Sequence, residues 1–210
     1  MSIKLVWITP NAEEVISYCA RVSNAKNQDN KQTAPKLLKY CLDHKHFSIF
    51  EMASVCVEIN TTRTIARQIL RHRSFSFQEF SGRYSEMPEQ PVISVARRQD
   101  TKNRQNSIDD CDLFAKELWK GAQQEVWDKA YENYKWALEF GYAKEVARNL
   151  LPEGMVQSRM YMTGTVRSFL HFLDVRWKGE GVQKECRDVA ADIAEVLRAE
   201  LPVIFEAKEW

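Results

Sequence analysis

The stretch ASVCVEINTTRTIARQILRHRSFSFQEFSGR, residues 53–83, changes its hydrophobic period twice. Ala53, Val55, Val57 and Ile59 alternate with Ser54, Cys56, Glu58 and Asn60, which is the two-residue repeat of a strand with one buried face. Ile65, Ala66, Ile69 and Leu70 then fall at helical spacing, so a helix is expected from a cap at Thr61 or Thr62 to about His72. Ser74–Phe77 breaks that period, and Gly82 marks a turn. Outward from this segment the same alternation of element types continues. A strand at Ile3–Thr9, a helix at Ala12–Arg21, a polar loop at Asn24–Gln32 and a helix entered through Pro35 precede it. After it come a polar loop at Arg97–Asp112 and a long amphipathic helix or helix pair at Leu113–Phe140, with an interruption at Gly121 and an end at Gly141. A helix at Ala143–Leu151, a strand at Val156–Thr163 and helices at Val166–Val175 and Gln183–Ala199 follow. Strands and helices mix without a regular βαβ repeat, so the class is α+β, in a single domain over residues 1–210.

Composition narrows the functions open to such a domain. The chain has 210 residues, 44% hydrophobic and 28% charged, enough apolar surface for one core. Thirty basic residues against 29 acidic ones leave a formal charge of +1, which disfavours a duplex-binding role. No apolar run approaches the roughly 20 residues that cross a bilayer. The N-terminal stretch has one Lys and early acids, reading as neither a secretory signal nor a transit peptide, so a cytoplasmic location is expected. Cys19, Cys41, Cys56, Cys111 and Cys186 are scattered and form no CxxC pair, so neither a disulfide framework nor a metal site is expected.

The chemistry concentrates around the helix of the opening segment. Arg63, Arg67 and Arg71 recur every four residues and would share one helical stripe, where like charges repel. A fold that keeps them offers an external anion or an acid from elsewhere in the chain. Arginine grips phosphate oxygens with a planar fork of donors and stays charged at any physiological pH. Gly82 permits a tight turn that brings Ser81 and Arg83 to the same ligand. The plainer reading is a solvated basic edge beside a turn, and the spacing alone does not choose. GxGxxG, Walker and HExxH patterns are absent.

Arg71-His72-Arg73, seven residues, then Ser81 resembles the RHR-x7-S signature of the flavin-dependent thymidylate synthases. Glu79–Ser85, Ala20–Ser23, His46–Glu51, Arg67-Gln68, Ala147-Arg148 with Leu151-Pro152, and Arg167 with Leu173 and Arg176 resemble family segments in the family's order. The resemblance implies a mixed α/β core with an antiparallel-rich sheet flanked by long helices, assembled as a homotetramer with active sites between subunits. It implies methylation of deoxyuridylate (dUMP) to thymidylate (dTMP), with methylenetetrahydrofolate as carbon donor and NADPH as reductant through FAD. Gln68, Ile69, Leu70, Arg71, Glu79, Phe80, Ser81, Gly82, Arg83, Arg148 and Arg176 would then meet deoxyuridylate. Ser48, Glu51, Arg71, His72, Arg73, Glu79, Thr165, Val166, Arg167 and His171 would meet FAD. Arg176, Ser81 and His46 would stand at the chemistry, Arg176 against the uracil and Ser81 as a hydrogen-bond donor. Thr165 and His171 stand where many members carry asparagines, and Lys178–Gln183 lacks a histidine that many relatives have.

The cysteine-dependent thymidylate synthase places its nucleophile in a Pro-Cys-His setting, which none of the five cysteines here shares. Without the family, His46 reads as a loop or cap residue, and Arg97, Arg98, Lys102 and Arg104 as a solvated loop. The functional version of that loop is a flap that meets a folate or NADPH phosphate. A non-catalytic nucleotide-binding module is the competing class, and bound flavin separates the two.

Overall fold

A computed structural model describes residues 1–208. The alternating segment becomes β2 (Ser54–Thr62), an inner strand of a four-stranded, fully antiparallel sheet. Around it in chain order lie β1 (Ser2–Ile8), α1 (Ala12–Ala20) and α2 (Ala34–Asp43), then α3 (Arg63–Ile69) and β3 (Ser76–Glu79). A two-residue hairpin, β4 (Arg98–Gln99) and β5 (Ser107–Ile108), precedes α4 (Leu113–Glu139) and α5 (Lys144–Ala147). The chain closes with β6 (Gln157–Thr165), α6 (Val166–Arg176), α7 (Lys184–Glu200) and α8 (Pro202–Lys208). The sheet order is β1-β2-β6-β3, so β6 lies between β2 and β3. Among the described residues, no helix is long and apolar enough to cross a membrane.

Burial follows the period. Val55, Val57 and Ile59 on β2 and Met160 and Met162 on β6 are fully enclosed on one face of the sheet. Cys186, Val189, Ala190, Ile193, Ala194 and Leu197 form the helical stripe of α7 that joins this core. Each large aliphatic enclosed in this way contributes about 1.5–3 kcal/mol. A second, smaller cluster surrounds α4, where Trp127, Tyr134 and Ala137 pack on Met87, Leu151, Met155 and Val156. The extended chain before the hairpin is strapped to α4 by side chains. The Met87 amide donates to the Tyr134 hydroxyl at 2.9 Å, Trp127 Nε1 donates to the Glu89 carbonyl at 2.8 Å, and Gln123 bonds with Ser94.

Several elements depart from the sequence expectations. The helix from Thr62, which caps it by accepting from the Ile65 amide at 3.4 Å, stops at Ile69 rather than His72. The chain must reverse there to lay Phe75 into the core and enter β3, a strand the sequence reading passed over as a break. Gly121 does not interrupt α4, which runs as one helix to Glu139. Gly141, at φ 93, ends it as expected: its amide bonds to the Leu138 carbonyl and the Tyr142 amide to the Ala137 carbonyl. The polar stretch 97–112 is not a bare loop. Asp100 accepts from the Lys102 and Asn103 amides and turns the chain between β4 and β5.

Candidate active site

The β6 strand sets the layout. Nine residues of extended chain place Gln157 and Thr165 about 26 Å apart. β3 runs antiparallel beside it, with Ser76 opposite Thr163 and Glu79 opposite Met160. The residues before β3 are therefore carried toward the Thr165 end, and those after it toward the Gln157 end, where the Phe80 amide donates to the Arg159 carbonyl at 2.9 Å.

At the Thr165 end a cleft of roughly 570 Å³ is lined by Phe47, Glu51, Ser74, Thr165, Arg167, Ser168, Leu170, His171 and Asp174. Thr165 caps α6 by accepting from the Ser168 amide at 3.3 Å. Glu51 accepts from Arg167 Nη1 at 2.5 Å and from the Thr165 hydroxyl at 3.4 Å, tying the 3₁₀ turn Phe47–Met52 to the start of α6. The structure thus assembles Glu51, Thr165, Arg167 and His171, four residues read separately from the sequence. Ser48 on the same turn and His46 just before it lie outside the lining; the His46 ring sits edge-on to Tyr40, 5.9 Å away. Val166 is buried in the core and its amide donates to the Ala53 carbonyl at 2.9 Å, so it offers a ligand neither side chain nor N–H.

At the Gln157 end the Ser81–Arg83 turn meets a second pocket, about 310 Å³, lined by Arg63, Arg67, Met87, Arg148, Asn149, Leu151, Glu153 and Val156. Gly82 packs close to this pocket: a Cβ there would lie 2.4 Å from Met87 Sδ, which would have to move aside, and 3.4 Å from Arg148 Cδ. Arg83 Nε donates to Glu145 Oε2 at 2.9 Å, and Glu79 accepts from the buried Ser158 hydroxyl at 2.5 Å. The arginine stripe resolves in an unexpected way. Glu153 lies 2.6 Å from Arg67 and 3.8 Å from Arg63, so an internal acid answers two of the three charges. Arg71 lies beyond the end of α3 and is exposed. Neither Glu153 nor Ser158 was found from sequence, because each meets its partner only through the register of β6 and the loop before it.

Between the two ends stands Arg176, the last residue of α6. Its Nε donates to His72 Nε2 at 2.8 Å and its Nη2 to the Gln68 carbonyl at 3.1 Å. One edge of the guanidinium is thereby committed, leaving Nη1 and the second Nη2 hydrogen for a ligand. An accepting Nε2 requires neutral His72. Burial, then the charges of Arg176 and His171, push its pKa down to about 4. The ring also packs edge-on against Phe172, 4.9 Å away. His72 is therefore turned inward, whereas its neighbours Arg71 and Arg73 are exposed. Ile69 is fully buried and offers a ligand no side-chain surface, while Leu70 is exposed.

The chain as a whole is similar to known proteins. A family described as "Thymidylate synthase complementing protein" matches residues 4–203. A probable flavin-dependent thymidylate synthase of Paramecium bursaria Chlorella virus 1 is 45% identical over 100% of both chains. A flavin-dependent thymidylate synthase of Synechocystis is 49% identical over 94% of this chain and 90% of its own. This chain belongs to the flavin-dependent thymidylate synthases. A crystal structure of a UMP/dUMP methylase, PolB from Streptomyces cacaoi, bound with 5-Br dUMP superposes with a TM-score of 0.86 over 98% of this chain and 93% of its own. At 24% identity that likeness is one of fold. Membership of the flavin-dependent thymidylate synthases makes the chain an enzyme of the methyltransferase class.

Proposed function

We propose that this enzyme methylates deoxyuridylate to thymidylate, with methylenetetrahydrofolate as carbon donor, NADPH as reductant and FAD between them. The observation that carries the reading is the arrangement of Arg176, whose free N–H groups are aimed by His72 and the Gln68 carbonyl. The relatives' names, which specify flavin dependence and thymidylate synthesis, support the same assignment.

The residues at the Thr165 end suit a flavin. Phe47 and Leu170 supply apolar wall, Arg167 and His171 supply donors, and the start of the 11-residue α6 supplies a positive dipole end. Glu51, Thr165, Arg167 and His171 would hold the cofactor, with Ser48 and Arg73 at its margin. FAD would supply hydride for the methylation. The protein's own part is orientation and charge. Arg176 would donate to the uracil carbonyl oxygens and stabilise negative charge as the ring becomes nucleophilic at C5. Arg71, Arg83 and Arg148 would meet the phosphate, and Ser81 would donate a hydrogen bond to the nucleotide. A cysteine nucleophile has no place in this reading. Burial pushes the Cys41, Cys56 and Cys186 thiols up, away from the reactive thiolate.

A homotetramer with active sites between subunits belongs to the proposal. The arginine-lined and cofactor-side groups lie at opposite ends of β6, a span that two chains side by side can bring together. Solution in the cytoplasm, without nucleic acid or membrane as partner, completes it. The test is the absorption spectrum of the purified protein, alone and with deoxyuridylate, followed by release of the pyrimidine C5 proton. Bound flavin and proton release that needs both deoxyuridylate and a reductant are expected. Colourless protein that cannot be reconstituted with FAD overturns the reading in favour of a nucleotide-binding module.

A further inference from the structure

A carboxylate can only accept hydrogen bonds, and a chain of side chains running from Glu185 carries that restriction toward the substrate side. Glu185 lies in the first turn of α7 with its side chain 18% exposed. Arg97 Nη1 approaches its Oε1 at 2.6 Å, and Gln183 Nε2 donates to its Oε2 at 3.0 Å. With its amide NH₂ facing Glu185, Gln183 presents Oε1 to the other side, where Gln68 Nε2 donates to it at 2.7 Å. The Gln68 amide is oriented in turn, NH₂ toward Gln183 and Oε1 away from it. Arg97 also donates from Nε to the Ser107 hydroxyl at 2.8 Å, so the β4–β5 hairpin anchors the charged end of this chain.

We infer that Glu185, through Gln183, is a positioning residue that fixes the polarity of the Gln68 amide, so that Gln68 meets the nucleotide with an acceptor and selects its sugar hydroxyl. The inference rests on the reading that Gln68 faces deoxyuridylate. Deoxyuridylate has two donors once its phosphate is ionised, the ring N3–H and the 3′-hydroxyl. Arg176 brings donors of its own and suits the uracil edge with its two carbonyl oxygens, which leaves the hydroxyl for an acceptor at Gln68. Flipped, the same amide would offer N–H groups and suit phosphate oxygens instead.

The test compares kcat/KM of the FAD-loaded enzyme for deoxyuridylate and for 2′,3′-dideoxyuridylate. The native enzyme should favour deoxyuridylate by about 10-fold or more, since an unpaired acceptor in the site penalises the analogue. Glu185→Gln can reverse both amides. It should raise KM for deoxyuridylate roughly 5- to 10-fold, leave kcat within about 2-fold and draw the preference toward unity. Gln183→Leu, an exposed position, should do the same with unchanged thermal stability. The reciprocal pair Gln183→Glu with Glu185→Gln restores an acceptor facing Gln68, and the preference for deoxyuridylate should return. A purely structural role for the Arg97–Glu185 ion pair would not be repaired by that exchange. An unchanged preference in Glu185→Gln and Gln183→Leu, or no recovery in the reciprocal pair, overturns the inference. If Gln68→Ala alters neither KM nor the preference, the substrate-side reading of Gln68 falls instead.

Discussion

The two ends of β6 hold charge differently. At the Thr165 end one carboxylate, Glu51, gathers Arg167 and the Thr165 hydroxyl around an open cleft. At the Gln157 end several guanidiniums crowd one pocket, and Glu153 balances Arg67 and Arg63 while Arg148 shares the lining. The first arrangement suits a large, mostly neutral ring with polar edges, and the second suits an anion. A guanidinium cluster without counter-charge would oppose folding, so an internal acid in the second pocket keeps it assembled until a ligand arrives. Arg176 stands between the ends and is held by neutral groups only, which leaves its charge available.

The sharpest break in this comparison should come at Arg176. Arg176→Lys keeps the charge but cannot reach both His72 and the Gln68 carbonyl while facing a ligand. Turnover should fall about 100-fold, by roughly the value of one or two charged hydrogen bonds, with a smaller change in deoxyuridylate affinity. Unchanged turnover would remove Arg176 from its role. A crossed pair of substitutions then separates the ends. Arg83→Ala should weaken deoxyuridylate binding about 10- to 100-fold while flavin is retained, and Arg167→Ala should do the reverse. Equilibrium dialysis of the nucleotide beside the flavin absorbance of the same sample reads both, and parallel loss of both ligands in either variant would mean one continuous site or a folding defect.

A gentler probe is pH. His72 has a folded-state pKa depressed to about 4 against an unfolded value near 6.5. Its stabilising contribution is therefore complete above about pH 6.5 and is lost as pH falls toward 4, because the unfolded chain takes up the proton first. Denaturant midpoints measured between these values should fall more steeply for the native chain than for His72→Phe. Equal slopes would show that the ring is not held neutral by Arg176 and its burial. The smallest effect belongs to Glu153→Gln. Its partner Arg67 is largely exposed, so stability should drop by only about 0.2–1 kcal/mol, while inorganic phosphate binds this pocket more tightly. Weaker phosphate binding would show that Glu153 shapes the pocket rather than guards its charge.

How much of this could be read from the chain alone depends on the range of the interaction. The alternation at residues 53–60 marked β2, and the helical stripe 65–70 marked α3 with its Thr62 cap, because both signals lie within one element. Gly82 was legible as a turn, but its close packing on Met87 was not. The arginine stripe was visible, whereas the acid that answers it lies 86 residues after Arg67 in sequence, at Glu153. His72 resembled a cofactor contact, and only the packing of α6 across the end of α3 shows it as the acceptor for Arg176.

Hydrophobic period, caps and breakers settle the types of the longer elements, since each is decided by neighbours within a few residues, but not those of β3 or the β4–β5 hairpin, which are strands only through their pairing. The RHR-x7-S motif and the segments dispersed around it carry the family resemblance without reference to the fold. Tertiary structure decided which charges pair, which way the amides of Gln183 and Gln68 point, and which side chains gather at each end of β6. Those outcomes depend on distances between residues far apart in the chain, and a hydrogen bond or ion pair is worth something only when the fold closes that distance to about 3 Å.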